Sequence, residues 1–202
     1  MNNFVTRGAL ALALGLTLTA CGGSSDDEPA AARTASNGDV YNDADVAFAT
    51  DMIPHHAQAV MMVVMAQDRT LDPAMRELLD GIRETQVSEV ETMVDWLTAW
   101  GQEIPETSLD HSSAHDDSMD HGDMGDMPGM MSGEELDELE NSSDDAFADM
   151  WLRMMIEHHE GAIEMAEQEQ EDGVFRPALT LARNIVKTQQ AEIATMEDLL
   201  DS

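Results

Sequence analysis

The chain has 202 residues, enough for one modest domain with tails, and 42 acidic against 9 basic side chains give it a formal charge of −33. So strong a negative field excludes nucleic acid as a partner and electrostatic docking on anionic lipid, while it fits cation attraction or plain solubility in an extracytoplasmic setting. Sulfur is almost wholly thioether, 17 methionines against one cysteine, so no thiolate cluster is available to hold a metal.

In chain order, Arg7 precedes an apolar run from Ala9 to Leu18, and Leu18-Thr19-Ala20-Cys21 resembles the lipobox cut site of bacterial lipoprotein signals. The run is too short for a permanent bilayer span. Residues 1–20 are therefore expected to be a lipoprotein signal peptide, with lipidated Cys21 as the first mature residue; an ordinary secretory signal is the alternative. Residues 21–41, mostly Gly, Ser, Asp, Ala and Pro, read as a disordered tether.

Asn42 or Asp43 caps a first helix running to about Gln67, with Ala49, Met52, Ile53, His56, Val60 and Val63 as its apolar stripe. Pro54 falls inside it, so a kink or a late start is expected. Asp72-Pro73 opens a second helix that ends at Gly101. Residues 101–131 read as a flexible linker rich in Met, His and Asp. Ser132 and Glu135 have the spacing of a capping box for a short acidic helix. A third long helix starts at Asp144 or Asp145 and breaks at Asp172-Gly173, and a fourth runs from near Pro177 to Leu200.

The two halves repeat. Met52-Ile53-Pro54-His55-His56-Ala57-Gln58-Ala59-Val60-Met61-Met62 recurs 103 residues later as Met155-Ile156-Glu157-His158-His159-Glu160-Gly161-Ala162-Ile163-Glu164-Met165. In the same register, Thr85-Gln86-x-x-Glu89 and Met93 recur as Thr188-Gln189-x-x-Glu192 and Met196. Residues 42–100 and 132–202 are thus two helical hairpins, each with an apolar face it cannot bury alone. Packed together they make an all-α, ferritin-like four-helix bundle with approximate two-fold symmetry. Equivalent positions for the two histidine pairs follow.

On helical spacing, His56 and His159 lie on the core stripe, while His55 and His158 point to its flank, beside Met52, Met62, Met155 and Met165. Thioether and imidazole together favour Cu(I) over oxygen-seeking Mg, Ca or Mn. His56 and His159 are either core histidines hydrogen-bonded to Gln86, Glu89, Gln189 and Glu192, or ligands whose rings those residues orient. In the linker, His111, His115, Met119, His121, Met124, Met127, Met130 and Met131 lie among Asp and Gly, where a methionine has no core to pack into. That run resembles the methionine–histidine motifs of exported copper and silver binders.

These blocks, with Gly129-Met130-Met131-Ser132, Glu135, Leu136, Phe147 and Trp151 leading into the second, resemble the family called domain of unknown function 305, over about residues 45–200. The resemblance implies a ferritin-like bundle exported from the cytoplasm, with some members similar to periplasmic copper-binding proteins of copper resistance. It carries Met52, His55, His56, Met62, Met155, His158, His159 and Met165 over as functional positions. Where the first block has Gln58 and Met61 the second has Gly161 and Glu164, so the halves need not bind metal equally.

The expectation is a non-enzymatic, lipid-anchored copper binder facing the periplasm or cell exterior. It would touch the membrane only through its lipid, and either sequester Cu(I) or deliver it to a copper-handling partner protein. The alternatives are a di-iron or copper oxidase, for which the chain has no Glu-x-x-His, and a bundle that binds another protein through a buried polar layer.

Overall fold

The computed structural model describes residues 31–107 and 127–202. The signal segment, Cys21, His111, His115, Met119, His121 and Met124 lie outside them. Two short strands, β1 (Arg33–Thr34) and β2 (Val40–Tyr41), precede five helices: α1 (Asp43–Met65), α2 (Pro73–Trp100), α3 (Gly133–Asn141), α4 (Asp144–Asp172) and α5 (Arg176–Leu200). Among the described residues no helix is long and apolar enough to cross a membrane.

The helix ends follow local chemistry. Asn42 and Asp45 form a reciprocal capping box at α1, and Ser132 with Glu135 forms another at α3. Asp72 caps α2 ahead of Pro73, and Gly101 closes it at φ 67°, a left-handed turn that glycine adopts without Cβ strain. Pro54 does not delay α1, which begins at Asp43 and continues through it. Burial decides this, because Met52, Ile53, Pro54 and both following histidines are enclosed, and tertiary packing outweighs one missing helical hydrogen bond.

Part of the expected tether is ordered. β1 and β2 pair antiparallel across a turn at Gly38, with Arg33 opposite Tyr41. The anchor is Tyr41, which stacks on Trp100 with ring centroids 4.4 Å apart, while the Trp100 indole donates to Asp39 at 3.2 Å. One buried aromatic suffices to dock a segment whose composition otherwise reads as disordered.

α1 packs on α2 and α4 on α5, and the two hairpins meet chiefly where α1 crosses α4. The core falls into two apolar clusters. One gathers Ala59, Met62, Ile82, Trp151, Met155 and Met196. The other gathers Phe48, Met52, Met93, Ala162 and Ile185. Repeat-related residues sit in opposite clusters: Met52 against Met155, Ala59 against Ala162, Ile82 against Ile185, Met93 against Met196. Such an exchange requires α1 and α4 to run antiparallel about a two-fold axis between the clusters, as the duplication predicts.

Each end of the bundle is tied across hairpins. At one, the Asp45 carboxylate accepts the backbone N–H groups of Asn42 at 2.7 Å and Phe175 at 2.9 Å, while the Asn42 side chain donates to the Asp172 carbonyl at 2.7 Å. At the other, Arg69 donates to the Ser142 carbonyl and to Asp144, and lies over the Phe147 ring. Glu169 is buried near Asp45 and has no N–H donor on either oxygen. Burial, and then the neighbouring Asp45, push its carboxyl up to about 9, so it stays protonated.

The folded chain therefore holds a proton that the unfolded chain releases near 4.5. The stability this contributes is complete below that value and is lost as pH rises towards about 9. Glu169→Gln keeps the shape of the side chain and cannot ionise. Urea denaturation from pH 5 to 9 is expected to show the variant gaining steadily on the wild type as pH rises; parallel curves would contradict the assignment.

Candidate functional site

Successive residues of an α-helix point about 100° apart, and α1 is flanked by α2 on one side and α4 on another. Adjacent histidines therefore serve different neighbours. His56 reaches α2 within its own hairpin, its Nε2 2.8 Å from Glu89 Oε2, and His159 reaches α5 with Nε2 2.8 Å from Glu192 Oε2. His55 and His158 face each other across the α1–α4 crossing, ring centroids 3.8 Å apart and tilted by 38°. The placement expected for this second pair is corrected: neither lies on a flank. All four histidines are fully buried, because α1 and α4 are covered by each other as well as by their hairpin partners.

The two-fold relation extends to the rings. His55–His56 and His158–His159 centroids lie 6.5 and 6.4 Å apart, each pair at 55°. The four rings form a polar layer between the two apolar clusters.

Proton positions follow from the partners. A carboxylate only accepts, so His56 and His159 donate from Nε2 to Glu89 and Glu192, which leaves Nδ1 as the nitrogen of each ring turned away from its carboxylate. His55 Nε2 lies 3.0 Å from the Pro128 carbonyl, which fixes its proton there too. Among the described residues nothing pairs with the Nδ1 atoms of His55, His56 and His159 or with either nitrogen of His158. Burial, and then the neighbouring His56, lower His55 to about 3, and burial followed by His55 holds His158 well below its ordinary value. Both rings are uncharged at neutral pH, which their contact requires.

The thioethers are distributed unevenly. Met52, Met62 and Met155 are fully buried on α1 and α4. Met165, the repeat partner of Met62, instead lines a surface groove of about 270 Å³ with Phe48, Asp51 and Asp172. Gln86 and Gln189 are buried and, among the described residues, have no hydrogen-bond partner on either amide atom.

The end of the linker also departs from expectation. Met127 and Met130 are half-buried, and Met131 is a core residue in the cluster with Met62 and Trp151. Residues 127–131 form a strap across the α1–α4 crossing. Gln58 grips it at two points, donating from Nε2 to the Met131 carbonyl at 2.9 Å and accepting the Met131 N–H at 2.8 Å. Gly161 gives it room, since a Cβ there would collide with the Pro128 carbonyl. The exchange of Gln58 for Gly161 between repeats is the trace the strap leaves in the sequence. The latch itself joins residues 73 apart, which no local pattern reveals.

Among the described residues no three His, Cys, Asp or Glu side chains converge on one point. What the layer offers is imidazole nitrogens with buried thioethers on the same two helices, a donor set for soft or borderline ions.

Fold and layer define an all-α bundle of two duplicated hairpins with a histidine–methionine interior. The model of the domain of unknown function DUF305 matches residues 45–200, and the chain belongs to that family. Two solved members resemble it. One is a Streptomyces coelicolor protein described as secreted, 33% identical over 78% of this chain and 92% of its own, with a TM-score of 0.66. The other is a Deinococcus radiodurans fragment, 30% identical over 84% and 99%, with a TM-score of 0.65. CopM, solved in Cu(II)-bound and Cu(I)-bound forms, is 25% identical over 78% of this chain and 95% of its own, with TM-scores of 0.62 and 0.61. No curated protein matches the chain in sequence.

Glu89→Leu strands a buried Nε2–H on His56, and Glu192→Leu does the same to His159. Each is expected to lower the stability of the metal-free protein by about 1–3 kcal/mol in urea denaturation. The two costs should be similar; a large disparity would contradict the equivalence of the pairs.

Proposed function

We propose that this chain is an extracytoplasmic, lipid-anchored copper-binding protein that sequesters Cu(I) or passes it to a copper-handling partner, without catalysis of its own. The observation that carries this reading is the histidine layer, in which five ring nitrogens of four fully buried side chains lack any partner among the described residues. Buried nitrogens without partners are expensive, and a metal ion is the ligand that uses lone pairs rather than protons. Met52, Met62 and Met155 on the same two helices bias the layer towards a soft ion. Glu89 and Glu192 orient His56 and His159 and make the rings better donors. The likeness to copper-bound CopM supports the same cargo, and the lipobox-like Leu18-Thr19-Ala20-Cys21 together with the secreted relative supports export.

Met119, His121, Met124, Met127 and Met130 complete the proposal as a capture segment that loads the bundle. Met131 is not part of it, being core. Thioether ligation without thiolate exchanges readily, which suits delivery. A di-iron oxidase requires Glu-x-x-His pairs converging with further carboxylates; the ligand supply on these helices favours a binder instead.

Anaerobic titration against a competing Cu(I) chelator tests this. Stoichiometric uptake is expected, and the pair His55→Ala and His158→Ala should weaken the tightest binding by at least about tenfold, roughly 1.4 kcal/mol, while the helical circular dichroism persists. Changing Met119, Met124, Met127 and Met130 to Leu should lower stoichiometry and leave the fold intact. A chain that takes up no Cu(I) in competition is not a copper binder.

A further inference from the structure

We infer that Gln58 and Gly161 are positioning residues of the histidine layer: they seat the 127–131 strap so that the Pro128 carbonyl locks His55 in its Nε2–H tautomer. Nδ1 of His55 is thereby committed as a lone-pair donor, whereas His158 keeps both nitrogens uncommitted. The duplicated pairs become chemically unequal. The consequence for copper rests on the function proposed above; the lock itself does not.

Three observations carry the inference. The Pro128 carbonyl accepts from His55 Nε2 at 3.0 Å, and a carbonyl can only accept, so the ring proton is fixed on that nitrogen. That carbonyl stands where it does because the chain on its far side is held. Gln58 lies three residues after His55 on the same helix face and pairs with both the N–H and the carbonyl of Met131. Its near side is held by close approach: built Cβ atoms would drive Gly161 into the Pro128 carbonyl and Gly129 into the Glu157 carbonyl. Gly129 also sits at φ 73°, which an L side chain resists.

The strap crosses the two-fold axis only once, so it cannot serve both histidines. His158 occupies the equivalent position and, among the described residues, has no hydrogen-bond partner on Nδ1 or Nε2. Glu89 and Glu192 hold His56 and His159, so of the four rings His158 is the one that no side chain or strap carbonyl among the described residues ties at a ring nitrogen. Fixing a ligand's tautomer through its other ring nitrogen is how a protein orients an imidazole towards a metal.

The test is nitrogen-15 NMR of the histidine rings in the full metal-free chain, comparing wild type with Gly161→Ala and Gln58→Ala. Wild-type His55 is expected as one tautomer, protonated at Nε2. In both variants it should become a mixture, while His56 and His159 stay protonated at Nε2 and so report an intact bundle. Gln58→Ala adds no atom, so it reads the loss of the latch without a clash. A parallel chelator competition should show the layer's Cu(I) affinity falling about tenfold in each variant. If His55 keeps its single tautomer in both variants, or carries its proton on Nδ1 in the wild type, the positioning role is overturned whatever the copper result. A wild type that takes up no Cu(I) would remove the proposed function and leave the tautomer result standing.

Discussion

The crossing of α1 and α4 places two uncharged imidazoles face to face, and much of the bundle is arranged about that contact. His55 and His158 can approach to 3.8 Å between centroids only because neither is protonated, and they stay unprotonated because the crossing shuts out water. The apolar clusters on either side supply that exclusion. Nitrogens left unpaired in such a place cost about 1–3 kcal/mol each, against a net folding free energy of about 5–15 kcal/mol. A histidine layer of this kind is a poor way to stabilise a bundle and a good way to hold lone pairs ready.

The strap gives the symmetric arrangement a direction. Two duplicated hairpins would otherwise present two equivalent histidine pairs. One covering segment, latched by Gln58 and admitted by Gly161, distinguishes them. The same asymmetry reaches the methionines. Met62 is covered and shares a core cluster with Met131, whereas Met165, its counterpart, opens onto a surface groove beside Asp51.

The repeat made the fold legible. A 103-residue offset that keeps histidine, methionine, Gln-x-x-Glu and threonine in register already implies paired hairpins and a two-fold axis, and capping residues place most helix ends within a residue or two. What a period of 3.6 could not supply was which neighbour each face meets. A single apolar stripe assigns one buried side to a helix, but α1 and α4 are buried on two, so His55 and His158 looked peripheral and prove central. Met131 looked like a loop ligand because its surroundings in sequence are Gly and Asp; its surroundings in space are Met62 and Trp151. Tyr41 similarly looked like the end of a tether until Trp100, far along the chain, came to stack on it. Each miss is a contact between residues distant in sequence, which local pattern does not encode.

The most direct test of the histidine layer as a copper site is X-ray absorption of the protein loaded anaerobically with Cu(I) after the linker methionines Met119, Met124, Met127 and Met130 have been changed to Leu. The account predicts copper retained with both imidazole nitrogen and thioether sulfur neighbours, and the nitrogen contribution lost when His55 and His158 are removed. Copper that is absent from this protein, or bound with the same neighbours when those histidines are gone, would contradict it.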